Sequence, residues 1–285
     1  MKQGRVAPVF GPGGNSEAFH LTKQKTEDAP IWLKKIGLDA YEYEAGRGIT
    51  SSEASLAKLG ACAKEHGIYL SVHAPSVISL SGIVPETRYK SIGYIAESLR
   101  AAAILGADTI VVHTGSAAKI TREEAMRLAA DTLYHTLEEL SPNGIVIGLE
   151  TMGKINQLGT LDEVITLCKM DKSLRPVVDF GHMNARALGG EFQTPDDYRR
   201  VFDTIANALD DDSAKNLHCH FSKIEWTSSG EKRHLTFEDT TYGPAFEPLM
   251  EALYLEKLTP TIICESAGTQ SEDALSMKER YYSYL

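Results

Sequence analysis

Eight times along the chain, a short apolar run gives way to a polar loop and then to a longer amphipathic stretch. This alternation predicts βαβ units in a parallel sheet, because a parallel crossover needs the length of a helix to return to the same edge. The runs are Val6–Phe10, Asp39–Glu44, Ile68–His73, Asp108–His113, Ile145–Glu150, Pro176–Asp179, Leu217–Phe221 and Thr261–Glu265. Eight is the number of parallel strands that closes a (β/α)8, or TIM, barrel. No linker or low-complexity tract interrupts the sequence, so residues 1–285 are expected to form a single TIM-barrel domain.

Local signals agree with this frame. Thr121 with Glu124, and Thr160 with Glu163, have the spacing of capping boxes, and Thr194 precedes a proline suited to the first helical position. Gly67 and Gly106 stand where left-handed residues would end helices before the next strand. The stretch Ile224–Gly243 is polar, rich in Ser, Thr and Gly, and reads as a long functional loop.

Composition narrows the setting. The sequence has no signal-like N-terminus and no apolar run of membrane-spanning length, which predicts a cytoplasmic protein away from membranes. Its four cysteines lack a CxxC pair or a disulfide-framework spacing, so they are expected to be reduced and mostly buried. A net charge of -10 argues against a basic, sequence-blind nucleic-acid binder. Acidic metal ligands would contribute to that count, and bound cations would offset it locally. No obligate protein partner is evident.

The chemistry gathers at the predicted strand ends. His73, His113, Glu150 and Asp179 end the third to sixth strands, and His182 follows Asp179 by three residues. His218 and His220 lie in the seventh strand, Glu265 ends the eighth, and Glu231 and His234 lie in the long loop. In a parallel barrel these ends meet at the C-terminal mouth, where active sites of the fold lie. So many imidazoles and carboxylates held close together in a dry cavity need a cation. Nitrogen and oxygen donors suit zinc, with manganese and iron also open, and the absence of thiolate pairs disfavours a structural cysteine site. In His218-Cys219-His220 the alternation of a strand turns both histidines to one face and the cysteine to the other.

One set, Glu150, Asp179, His218 and Glu265, looks like the single-metal site of xylose-isomerase-like sugar isomerases and epimerases. The additional histidines point further. His73-Ala-Pro, Ser79-Leu-Ser-Gly82, Val112-His-Thr-Gly-Ser116, Leu149-Glu-Thr151, Val178-Asp-Phe-Gly-His182, His218 with Lys223 five residues on, and Cys264-Glu-Ser266 resemble the endonuclease IV class of apurinic/apyrimidinic endonucleases. The resemblance runs from about Ile68 onward.

It implies up to three zinc ions: one on His73, His113 and Glu150, a second on Glu150, Asp179, His218 and Glu265, and a third on His182 with Glu231 and His234. It further implies hydrolysis of a phosphodiester 5′ to an abasic site in damaged double-stranded DNA, with Glu150 and Glu265 as catalytic residues. Two departures stand out. The family's Asp-x-His pair is one residue longer here, at Glu231-Lys-Arg-His234, which leaves His220 as another candidate for the third ion. The family's early Lys-Asn-Gln-Arg loop has no counterpart except Arg47. Substrate grip would then fall to Arg47, the Ala74–Arg88 loop, Lys223, Trp226, Lys232 and Arg233. The alternatives are a one-metal sugar isomerase or epimerase and a barrel-fold binding protein without turnover.

Overall fold

The computed structural model describes residues 5–285. Its strands are β1 (Val9–Pro12), β2 (Ala40–Glu44), β3 (Tyr69–His73), β4 (Thr109–His113), β5 (Val146–Glu150), β6 (Leu174–Asp179), β7 (His218–Phe221), β8 (Ile224–Thr227), β9 (Gly230–His234) and β10 (Thr261–Cys264). All but β8 and β9 form one parallel sheet in the order β1-β10-β7-β6-β5-β4-β3-β2. The sheet closes on itself where Asp39 N–H donates to Phe10 O and Gly14 N–H to Glu42 O, both at 2.9 Å. A TIM barrel results, with helices between successive strands.

Closure depends on Gly11. A Cβ there would lie 1.8 Å from the carbonyl oxygen of Ala40, so only glycine lets β1 approach β2. The first strand was expected at Val6–Phe10 but runs Val9–Pro12. Pro8 has no N–H to give the ladder; the first donor is Val9, whose N–H reaches Pro260 O at 3.1 Å. The last strand stops at Cys264, one residue short of expectation, although Glu265 N–H still reaches Phe221 O at 3.0 Å.

The helix ends follow the sequence closely, with one exception. Thr160 and Glu163 form the reciprocal capping box, and Gly67 and Gly106 are left-handed C-caps. At Thr121 only half the box forms, because Glu124 turns away to a bidentate pair with Arg127. The long loop is instead a hairpin, β8 and β9, followed by an irregular return. Three cysteines, Cys168, Cys219 and Cys264, are buried and Cys62 is partly so. Among the described residues, no helix is long and apolar enough to cross a membrane.

Strand alternation sorts the buried residues into two sets. Val72, Ile110, Val112, Ile147, Leu149, Val178, Cys219 and Cys264 join the apolar layer against the helices. Glu42, Ser71, Val111, Val177, His218, His220 and Ile263 are as deeply buried but stand apart from that layer, on the barrel's inner face. The barrel interior is therefore polar on its approach to the mouth.

Candidate metal centre

Glu150 is the hub of the mouth, fully buried at the end of β5. Its Oε2 lies 3.2 Å from His113 Nε2 and 3.5 Å from His73 Nε2. Its Oε1 lies 3.0 Å from His220 Nδ1 and 3.5 Å from His182 Nδ1. Several groups could hold a metal ion, and three of them adjoin at the mouth: His73, His113 and Glu150; Glu150, Asp179, His220 and Glu265; and His182, Glu231 and His234. His73, His220 and Glu265, and likewise Glu42, His218 and His220, are gathered as closely. Within each group, one ligand atom per residue lies within 4.8 Å of the others.

The histidines are aimed by what holds their far nitrogens. His73 Nδ1 is 2.9 Å from Ala74 O and His182 Nδ1 is 3.0 Å from Thr151 O. A carbonyl only accepts, so each Nδ1 carries a proton and Nε2 is the nitrogen left to turn to a metal. His234 Nδ1 meets Ser222 Oγ at 2.8 Å. Asp179 caps the helix Phe180–Arg186, its Oδ1 accepting the His182 N–H at 2.7 Å, which leaves Oδ2 to the site.

A β-bulge accommodates the extra residue between Glu231 and His234. Pairing runs Thr227 with Gly230 and Trp226 with Glu231, then Glu225 with Arg233 and Ile224 with His234, so Lys232 is unmatched. Residues three apart in a regular strand face opposite sides; the bulge re-aims them to one side. Glu231 Oε2 accordingly lies 3.5 Å from His182 Nε2, and the His182 and His234 rings are 5.4 Å apart. Gly153 makes room, since a Cβ there would sit 2.6 Å from Glu231 Cβ.

The electrostatics favour a cation. Glu150 Oε2 and Asp179 Oδ2 are buried without a hydrogen bond. Burial pushes the Glu150 carboxyl up, but His220, His113 and His73 outweigh it and hold it well below the carboxylate range. Burial drives Glu265 well above that range, and although His220 opposes this, the Glu150 and Asp179 charges add to it. Burial lowers His182, yet Asp179, Glu231 and Glu150 raise it to about 9. Orphaned carboxylate oxygens gathered with imidazole nitrogens fit divalent ions bound by nitrogen and oxygen, which would displace the ring protons.

The seventh strand departs from expectation. The histidine grouped with Glu150, Asp179 and Glu265 is His220, not His218. His218 shares the inner face of β7 with His220 as expected, but it lies two residues back, at the start of the strand, where its Nε2 is 2.8 Å from Glu42 Oε2. His220 does not join the third group either, because β7 carries it to the Glu150 side of His182. Glu42 was not anticipated; its signal was an acidic residue at an inward position of β2.

The expected grip residues are largely engaged. Lys223 donates to Phe237 O and Asp239 O, and Lys232 and Arg233 pair with Glu225. Arg88 folds back on Gly82 O, and Trp226 packs edge-on to Tyr242. Arg47 is exposed beyond β2.

Comparison with known proteins follows the same lines. A family model described as xylose isomerase-like TIM barrel matches residues 31–280. An uncharacterized protein of Methanocaldococcus jannaschii is 29% identical over 274 residues, covering 95% of this chain and 96% of the relative. A probable endonuclease 4 of Citrifermentans bemidjiense is 29% identical over 252 residues, covering 82% and 83%. The crystal structure of a D-tagatose 3-epimerase-like protein superposes with a TM-score of 0.68 at 20% identity, over 97% of this chain and 96% of that one. At that identity the likeness is one of fold.

Proposed function

We propose that this chain, which belongs to the xylose isomerase-like TIM barrel family, is a metal-dependent phosphodiester hydrolase that incises DNA 5′ to an abasic site. The observation that carries this reading is the set of three ligand groups adjoining at Glu150, where one-ion sugar chemistry would need a single group. The probable endonuclease 4 relative supports it. Divalent ions, with zinc the first choice for these donors, would lower the pKa of a bound water and offset charge building on the phosphate.

The chain's own residues organise the rest. Glu150 turns one oxygen to the His73 and His113 side and the other to His220, so its carboxylate is shared between two groups. Glu265 is the most open carboxylate of its group, with 15% of its side chain exposed, and stands between His220 and His234. That position suits orienting the attacking nucleophile. His182, Glu231 and His234 stand on the hairpin side, where they would face the departing oxygen. Glu150 and Glu265 are the catalytic residues of this scheme.

A second reading has its own support. Glu150, Asp179, His220 and Glu265 alone would suffice for one ion that polarises a sugar carbonyl, and the fold is that of an epimerase-like structure. A labelled duplex with one abasic-site analogue, treated with zinc-loaded protein and with Glu150→Gln, decides between them. Incision 5′ to the lesion by the wild type alone is expected. Intact DNA with fully metallated wild type would reject the nuclease and favour the sugar enzyme.

A further inference from the structure

Beneath the ligand groups, a carboxylate that belongs to none of the three is sealed inside the barrel. Glu42 has no solvent exposure. Its Oε2 accepts from Ser71 Oγ at 2.7 Å and lies 2.8 Å from His218 Nε2; its Oε1 lies 2.8 Å from His220 Nε2. Glu42 Oε1 and His220 Nε2 are buried against each other without a formed hydrogen bond to any group, so this close approach is the one neighbour each atom has. A buried carboxylate is retained only where donors or positive charge surround it, and here Ser71, His218 and His220 are those neighbours.

The His220 ring is thus strung between carboxylates on both sides. Nε2 faces Glu42, while Nδ1 faces Glu150 Oε1 at 3.0 Å and Glu265 Oε1 at 3.4 Å. A neutral imidazole carries its proton on one nitrogen and a lone pair on the other, and a carboxylate can only accept. A cation held by Glu150, Asp179 and Glu265 would need a lone pair at Nδ1, and the ring proton would then be left to Nε2, where Glu42 Oε1 stands 2.8 Å away.

We infer that Glu42 is a positioning residue of the metal centre: it takes the Nε2–H of His220 and so presents Nδ1 to the group of Glu150, Asp179 and Glu265, while Ser71 and His218 hold Glu42 in place. The inference rests on the metal-centre reading and assigns His218 a supporting role one step below the ligands. It also accounts for the inward acidic residue on β2, which the incision scheme does not use.

The test is zinc uptake against a competing chelator by wild type and Glu42→Gln, with circular dichroism to check the fold. Alongside it, nitrogen-15 NMR of the zinc-loaded wild type, assigned with His220→Asn, reads which ring nitrogen is protonated. Loss of the His220 partner is expected to weaken zinc binding at the Glu150, Asp179, His220 and Glu265 group by about 10–100-fold. The ion on His182, Glu231 and His234 should be retained, and the His220 proton should sit on Nε2. Unchanged uptake by Glu42→Gln, a proton on Nδ1, or an ion bound by Glu42, His218 and His220 would overturn the role of Glu42 alone. Wild-type protein that takes up no zinc would remove the metal centre itself. Should Glu42→Gln fail to fold, the wild-type NMR result still decides.

Discussion

Replacing Gly153 with alanine would set a methyl carbon 2.6 Å from Glu231 Cβ, 2.8 Å from Glu231 Oε2 and 3.1 Å from His182 Cδ2. The carboxylate could swing aside, but Glu231 Cβ cannot, because the hairpin is tied to this loop. Glu231 N–H donates to Gly153 O at 3.0 Å, Ile155 N–H donates to Ser229 O at 3.1 Å, and Lys154 bridges Gly230. Restoring a carbon–carbon separation of about 3.5–4.0 Å requires the hairpin to retreat by roughly 1 Å. Overpacking of this kind costs about 1–3 kcal/mol, or a fall in Tm of roughly 2–10 °C for a chain of this size. The same retreat carries Glu231 and His234 away from His182. Thermal denaturation and zinc stoichiometry should show Gly153→Ala less stable and short of one ion, with the other two retained. Gly93→Ala, where a Cβ meets nothing within 4 Å, is the control and should match the wild type or exceed it slightly. Wild-type stoichiometry and Tm in Gly153→Ala would refute the claim that this glycine makes room for the third group.

Two further outcomes follow from the frame around the site. Gly11→Ala drives a Cβ into the Ala40 carbonyl and should cost more than about 3 kcal/mol, leaving no folded barrel by near-ultraviolet circular dichroism; a native spectrum would contradict the closure argument. Burial pushes the Glu163 carboxyl up, but Arg122 and the Thr160 and Gly159 N–H groups outweigh it and hold it below its ordinary value of 4.5. Its folded pKa is thus the lower one, so its stabilisation is full above 4.5 and is lost as pH falls through the folded value. Urea midpoints should therefore fall less over that acidic range in Arg122→Ala than in wild type; parallel curves would show that Arg122 contributes nothing to the shift.

Much of this architecture is written in local pattern, and the departures have identifiable causes. Strand ends at His73, His113, Glu150 and Asp179 were legible because each closes an apolar run, and closure of the barrel brings such ends to one mouth. The choice between His218 and His220 was not legible from alternation, which turns both inward; their depth depends on the stagger of β7 against β6, where Asp179 pairs with His220. Glu42 escaped notice because an acidic residue in a short strand gives no sign of its partners, which come from β3 and β7. The Glu231–His234 spacing needed the bulge, and a bulge is a property of two paired strands rather than of either sequence alone. The first strand starts later than expected because Pro8 has no N–H for the ladder, and it runs on past Phe10 because close approach to β2 demands the glycine at position 11 within the strand.

The central claim is that Glu150 joins adjoining metal sites in one mouth, and anomalous scattering from crystals of zinc-loaded protein tests it most directly. The account predicts three peaks per chain, two of them flanking the Glu150 carboxylate and the third beside His182, Glu231 and His234. A single peak among Glu150, Asp179, His220 and Glu265, with the other two groups empty at saturating zinc, would contradict it and leave the one-ion sugar chemistry as the better account.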